Sequence, residues 1–198
     1  MIAAVVLAAG RSVRMGRPKL LLPLADGRSM LAHVVGLLKT GGAEPVLVVM
    51  SAEEGLAAEA ERIGARSVQV ETSLPGGMIG SLQRGLEELV DTPAEAVLIL
   101  PGDMPFVQPA TIRSIMDLWL LERPPVLVPS FQNQRGHPVC LARETWADIQ
   151  ALQPPASLRD YVRRHGDEIR HLVVEDAGVL EDVDAPEDYD RAVGRRQT

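Results

Sequence analysis

Residues Ile2-Ala3-Ala4-Val5-Val6-Leu7 form an unbroken apolar run with no helical polar face, and a basic loop punctuated by glycine follows at once. A run of this kind reads as a strand buried on both sides, which commits the chain to a sheet covered by helices on both faces. The loop Leu7-Ala8-Ala9-Gly10-Arg11-Ser12-Val13-Arg14-Met15-Gly16-Arg17-Pro18-Lys19 then leaves the carboxyl edge of that sheet, where ligands of open α/β sheets bind. Gly10 and Gly16 let main-chain N–H groups turn toward an oxyanion without a Cβ in the way. Arg14 and Lys19 add charge-assisted bonds suited to several phosphate oxygens. Arg11 and Arg17, at alternating positions, are expected to face solvent. The loop fits a polyphosphate; a solvated basic turn is the plain alternative.

The pattern is neither a P-loop nor a dinucleotide fingerprint, because Gly16 is followed by Arg17-Pro18-Lys19 and Gly10 lacks the second glycine two residues on. Pro18, Pro23 and Asp26-Gly27 delay the next helix, which predicts a long extended lid before a helix capped by Ser29. That helix carries Leu31, Val34, Val35 and Leu38 on one face and stops at Gly41-Gly42.

Strand and helix signals then alternate. The expected strands are 45–50, 67–71, 96–100, 126–129, 137–141 and 169–175. The expected helices follow a capping box of Ser51 and Glu54, then run through Leu82, Leu86 and Leu89, over 109–122, near Arg143 and Ser157, and from Pro186. The polar stretch 130–136 reads as a flap facing the second substrate. Cys140, Trp119, Trp146 and Tyr161 are assigned to the core. The alternation predicts one three-layer α/β/α domain over 1–198 with a mostly parallel sheet.

A formal charge of −7 and a pI of about 5.1 argue against nucleic acid or anionic membrane as partner, so anions must be captured locally. One cysteine excludes an internal disulfide and cysteine-rich metal sites. No apolar run approaches the roughly twenty residues of a membrane span, and Met1 to Ala9 lacks the basic leader of a signal peptide, so a cytoplasmic protein is expected.

Asp103 follows an apolar strand between Gly102 and Pro105, which places its carboxylate beside the first loop, where a magnesium ion bridging phosphates needs an oxygen ligand. A turn cap is the alternative. Asp182-Val183-Asp184 can supply a second carboxylate, with Asp184 favoured over Asp182; Asp184 before Pro186 serves equally well as a helix N-cap.

The segment Leu-Ala-Ala-Gly-x-Ser-x-Arg-Met-Gly-x-Pro-Lys resembles the signature loop of the molybdenum cofactor nucleotidyltransferases, within the superfamily that also holds sugar-1-phosphate enzymes. Gly76-Gly77-Met78-Ile79-Gly80-Ser81-Leu82, Pro101-Gly102-Asp103-Met104-Pro105, Arg135-Gly136-His137-Pro138 and Asp182-Val183-Asp184-Ala185-Pro186-Glu187-Asp188-Tyr189 extend the likeness in the expected order. The resemblance implies the Rossmann-like nucleotide-diphospho-sugar transferase fold, with magnesium held by Asp103 and Asp184. It implies nucleotide contacts from Leu7, Ala8, Ala9, Gly10, Arg14, Lys19, Gly77, Ser81 and Asp103. For Ser81 an exposed first-turn serine is the alternative. His137 is implied to face the acceptor, or else to be a packing residue. Leu-Ala-Ala-Gly with Gly-His-Pro resembles the cytidylyl-transferring branch rather than the guanylyl-transferring one.

The implied reaction moves CMP from CTP to the phosphate of molybdenum-bound molybdopterin, releasing pyrophosphate. Arg14, Lys19 and Asp103 would be its catalytic residues, and a molybdenum hydroxylase or its chaperone its client. Charge developing on the leaving pyrophosphate would be met by Arg14 and Lys19, and a phosphomonoester dianion needs no general base to attack. The competing readings are GTP as donor, a sugar-1-phosphate as acceptor, and a non-catalytic carrier of the molybdenum cofactor.

Overall fold

A computed structural model describes residues 1–10, 12–71 and 77–194, with the backbone alone at Val13 and Asp167. Gly76, first residue of the 76–82 motif segment, and Arg11, expected to face solvent, fall outside the described residues. The described strands form one eight-stranded sheet. In chain order these are β1 Ile2–Ala8, β2 Val46–Ser51, β3 Arg66–Val70, β4 Ala96–Pro101, β5 Val126–Phe131, β6 Gln134–Arg135, β7 Val139–Ala142 and β8 Ile169–Val173. The order across the sheet is β3-β2-β1-β4-β7-β5-β6, with β8 also paired to β5. Parallel pairing joins β3-β2-β1-β4 and β5-β8, whereas β7 runs antiparallel to both β4 and β5.

All seven residues of β1 are buried, as the apolar run requires. Its side chains alternate between two cores. Ala4, Val6 and Ala8 pack with α1 (Met30–Gly41), α2 (Leu56–Arg62) and α4 (Pro109–Glu122). Ala3, Val5 and Leu7 pack with α3 (Met78–Glu87), α5 (Trp146–Gln150) and α6 (Leu158–Arg164). Each such Val or Leu contributes roughly 1.5–3 kcal/mol through burial. A last helix, α7 (Pro186–Gly194), adds Ala192 to the first core. This is the expected three-layer α/β/α Rossmann-like arrangement, and Cys140, Trp119, Trp146 and Tyr161 are all buried in it. Among the described residues no helix is long and apolar enough to cross a membrane.

Strand order reverses direction at β1: the chain steps outward through β2 and β3, then returns to place β4 on the other side of β1. At that switch point the connections leaving β1 and β4 run to opposite sides, toward β2 and β5, and leave a crevice at the sheet's carboxyl edge. The Gly102 N–H donates to the Leu7 carbonyl at 2.9 Å, so the two edge loops start from one backbone contact.

Three local expectations are corrected. The segment before α1 is not an extended lid: Lys19–Leu21 makes a 3₁₀ turn whose Leu20 is buried, and the Met30 N–H returns to the Leu22 carbonyl. Apolar leucines at 20 and 24 draw it onto the core instead. The Ser51–Glu54 capping box does not form, because Ser51 completes β2 and Gly55, at φ 86°, starts α2 without a side-chain cap. The stretch 130–136 is not an open polar loop but a tight hairpin, with Gln132 and Asn133 at positive φ between β5 and β6.

Behind the crevice, Asp176 ties the segment after β8 to the start of α4. Its carboxylate accepts from Thr111 Oγ1 at 2.7 Å, from the Gln108 N–H at 2.9 Å and from the Gly178 N–H at 3.0 Å. The approach is so close that a Cβ at Gly178 would lie 2.1 Å from the Phe106 carbonyl oxygen. Gly178→Ala is therefore expected to lower stability by about 1–3 kcal/mol, while Gly166→Ala, where the added Cβ meets nothing within 4 Å, should stay within about 0.5 kcal/mol of the parent. Urea melts of the two variants check this.

Candidate active site

The crevice at the switch point opens into a cavity of about 660 Å³. One wall comes from the end of β1, through Leu7, Ala8, Ala9 and Gly10, and from the start of α3, through Gly77, Met78 and Ser81. Asp103 and Lys19 form the floor with Asp182 and Asp184, and Arg135, Gly136 and His137 close the far side with Val179 and Leu180. Residues expected from segments as distant in sequence as 7–10 and 184 thus meet in one hollow.

Lys19 is the centre of the floor. Its backbone N–H donates to Ser12 Oγ at 3.0 Å, which fixes where the side chain leaves the loop. Its ammonium donates to Asp103 Oδ2 at 2.8 Å, to Asp184 Oδ1 at 2.7 Å and to the Val183 carbonyl at 3.0 Å. Burial alone would lower the Lys19 pKa, but the charge and hydrogen bonds of Asp103 and Asp184 outweigh it and hold the pKa above its ordinary value. Lys19 is therefore a cation at neutral pH. Burial, reinforced by the charges of Asp184 and Asp103, pushes the Asp182 carboxyl up from the usual carboxylate range.

The acidic side of this arrangement is built by the backbone. Val183, fully buried, donates its N–H to the Asp103 carbonyl at 2.9 Å, laying the 182–184 segment beside the loop after β4. Asp188 then accepts the N–H groups of Asp184 and Ala185 at 3.1 and 2.8 Å. Asp188 thus satisfies the N–H groups ahead of α7, and the Asp184 carboxylate bonds to Lys19 and Arg14 instead of making the alternative N-cap.

The other expected residues divide. Arg14 does not line the cavity: its side chain is 76% exposed and reaches Asp184 Oδ2 at 3.4 Å. Arg17 lies over the Tyr189 ring, 5.8 Å from its centroid. The Ser81 hydroxyl is buried and donates back to the Gly77 carbonyl at 3.3 Å. His137 lines the cavity with Nδ1 3.4 Å from the Ile99 carbonyl, and burial pushes its pKa down despite that carbonyl and Asp103. The neutral imidazole is its form at pH 7.

Sequence reasoning did not single out Arg135, Glu71, Val179 or Leu180 as lining residues. A Cβ at Gly136 would lie 2.4 Å from the Val179 carbonyl oxygen, and the His137 N–H donates to that same carbonyl at 2.8 Å. This contact seats Arg135 and His137 at the cavity, but no signal within residues 135–137 names a partner 43 residues away.

As a divalent-ion site the floor has the right chemistry. Two carboxylate oxygens already share one cation-sized position, and both are hard donors. Among the described residues no group of three or more His, Cys, Asp and Glu forms a complete protein cage. Magnesium, which keeps waters and substrate phosphates in its shell and takes one or two carboxylates from the protein, suits such a pair. Because Asp188 orients Asp184 through the backbone, Asp188→Ala is expected to weaken Mn²⁺ binding by about 10–100-fold, measured by electron paramagnetic resonance titration, with the helical circular dichroism retained.

The family model described as the MobA-like NTP transferase domain matches residues 4–169. The crystal structure of Rv0371c from Mycobacterium tuberculosis H37Rv superposes with a TM-score of 0.79 at 28% identity, covering 98% of this chain and 97% of that one. The same protein complexed with manganese gives a TM-score of 0.77 at 27% identity, with coverage of 98% and 99%. Phosphoenolpyruvate guanylyltransferase of Rubrobacter xylanophilus is 29% identical over 165 residues, 82% of this chain and 77% of its own. The bifunctional protein GlmU of Azorhizobium caulinodans is 38% identical over 117 residues, 56% of this chain and 25% of its own. The chain therefore spans about a quarter of the length of the first curated relatives it matches.

Proposed function

The chain belongs to the MobA-like NTP transferase domain family, and from that premise we propose that it is a nucleotidyltransferase that moves CMP from CTP to the phosphate of molybdenum-bound molybdopterin, releasing pyrophosphate. The observation that carries the reading is the meeting of Lys19, Asp103 and Asp184 in the cavity at the sheet's switch point. A cation on a short basic loop facing paired carboxylates is what a triphosphate and its counter-ion require. The base and ribose lie along Leu7 to Gly10 and Gly77 to Ser81, with the phosphates toward Lys19. Gly10 leaves the loop open to them, since nothing lies within 4 Å of a Cβ built there. The acceptor enters from the side of Arg135 and His137. The neutral, buried imidazole of His137 serves as a hydrogen-bonding wall rather than a proton source.

Magnesium held by Asp103 and Asp184 would neutralise charge on the triphosphate and polarise its α-phosphoryl group. The manganese complex of Rv0371c supports a divalent ion in this fold. Lys19, and Arg14 from the rim, would stabilise charge growing on the departing pyrophosphate, in a site arranged before reaction begins. Leu-Ala-Ala-Gly and Arg135-Gly136-His137-Pro138 support cytidine and the molybdopterin acceptor through their likeness to the cytidylyl-transferring branch.

A second reading keeps the chemistry and changes the substrates, with GTP as donor or another small phosphate as acceptor; the guanylyltransferase relative, which aligns with most of this chain, favours it. A non-catalytic carrier has no use for a pyrophosphate-facing cation beside a metal-binding acid pair. Pyrophosphate release, measured with each triphosphate in the presence of molybdenum cofactor, is expected to be fastest with CTP. Equal rates with GTP would overturn the cytidine assignment. Asp103→Asn should cut turnover by about 100-fold or more, and full turnover in that variant would remove Asp103 from the mechanism.

A further inference from the structure

The Lys19 ammonium has three protons to donate, and three acceptors take them: Asp103 Oδ2, Asp184 Oδ1 and the Val183 carbonyl. In this state it has no proton left for a phosphate. The two carboxylates that Lys19 occupies are also the ones proposed to hold the divalent ion. Two demands on the site are therefore in conflict in the nucleotide-free protein, and one movement relieves both.

From this the geometry points to Lys19 as an exchangeable internal cation: it holds the Asp103–Asp184 pair until a nucleoside triphosphate draws its ammonium onto the phosphates and leaves the carboxylates to the divalent ion. The inference rests on the proposed function, in that the cavity must take a triphosphate. The stem of Lys19 is anchored, since Ser12 Oγ holds its backbone N–H and the next residue, Leu20, is buried. The flexible side chain beyond it turns without disturbing the loop. Lys19 lines the cavity, so the phosphates lie within the ammonium's swing.

Exchange also settles the charge of the resting site. Asp103 and Asp184 share one counter-ion instead of repelling each other, and Asp182 beside them feels both charges. Arg14 is no substitute: it is largely exposed and makes one long contact with Asp184. By linkage, whatever the nucleotide does for metal affinity the metal does equally for nucleotide affinity. The site would bind neither tightly alone and both tightly together.

The test is Mn²⁺ binding, read by electron paramagnetic resonance on the whole chain with and without CTP, and with GTP in parallel. Without nucleotide, Lys19→Met should tighten Mn²⁺ binding by about tenfold or more, and Arg14→Met by distinctly less. The factor by which nucleotide strengthens Mn²⁺ binding should be smaller in Lys19→Met than in the parent. Unchanged or weaker Mn²⁺ binding in nucleotide-free Lys19→Met overturns the inference, as does an undiminished nucleotide effect.

If Lys19→Met does not fold, the lysine ammonium signals of the parent answer the question by nitrogen-15 NMR. The Lys19 signal should shift when magnesium and a non-hydrolysable CTP or GTP analogue are added together, and a fixed signal with nucleotide bound contradicts exchange. None of these readings needs turnover. Absence of cytidylyl transfer alone would count against the proposed reaction, whereas an unresponsive Lys19 would count against exchange.

Discussion

One ammonium group ties the two ends of this protein's functional surface together. Lys19, near the start of the chain, bonds to Asp103 across 84 residues and to Asp184 across 165. Neither acid is a neighbour of Lys19 in sequence, and the strand order is what makes them neighbours in space. Because β4 returns to lie beside β1, the loops leaving both strands share one crevice. The segment before α7 is then laid across it by the backbone bond from Val183 to the Asp103 carbonyl. Sheet topology is thus the cause, and the charged cluster its consequence.

The packing that supports this arrangement is mostly apolar and two-sided. β1 and β4 are buried on both faces, which makes the sheet's centre a rigid frame, and the loops at its carboxyl edge inherit that precision. Farther from the centre polar staples take over. Asp176 fastens the 177–180 segment to α4, Asp188 fastens Asp184, and Ser12 fastens Lys19. Each gathers backbone N–H groups that would otherwise lack partners, so each stabilises the fold while aiming a neighbour.

Much of this was legible in the sequence where one local rule dominates. The apolar run at 2–7 fixed the buried strand, and the apolar spacing over 109–122 matches the extent of α4. Ser29 accepts the Ala32 N–H as an N-cap should, and Ser157 forms a full capping box with Asp160. Local rules failed where tertiary packing or backbone conformation overrode them. Ser51 and Glu54 carry a capping signature, yet Ser51 is spent as the last residue of β2. The β5–β6 hairpin turns on Gln132 and Asn133 at positive φ, without the glycine that usually announces such a turn, so it read as an open loop. Leu20 and Leu24 were apolar residues in a proline-interrupted stretch, and only the assembled core shows what they cover. At the site, sequence pattern and resemblance named Lys19, Asp103 and Asp184, but the partnership among them depends on long-range contacts. Asp176 gave no signal, and Asp188 and Arg135 stood inside motif segments without a role of their own, because what each does is defined by a backbone group or a cavity wall elsewhere.

In the proposed mechanism the switch-point cavity holds a triphosphate and a divalent ion, and Lys19 and the two carboxylates divide between them. A crystal grown with Mn²⁺ and a non-hydrolysable CTP analogue, with anomalous scattering used to find the metal, addresses it most directly. The expected result is a manganese peak on Asp103 and Asp184, base and ribose along Leu7 to Gly10, and the Lys19 ammonium turned onto the phosphates. Nucleotide bound outside the cavity, or manganese lodged away from both carboxylates, would contradict it.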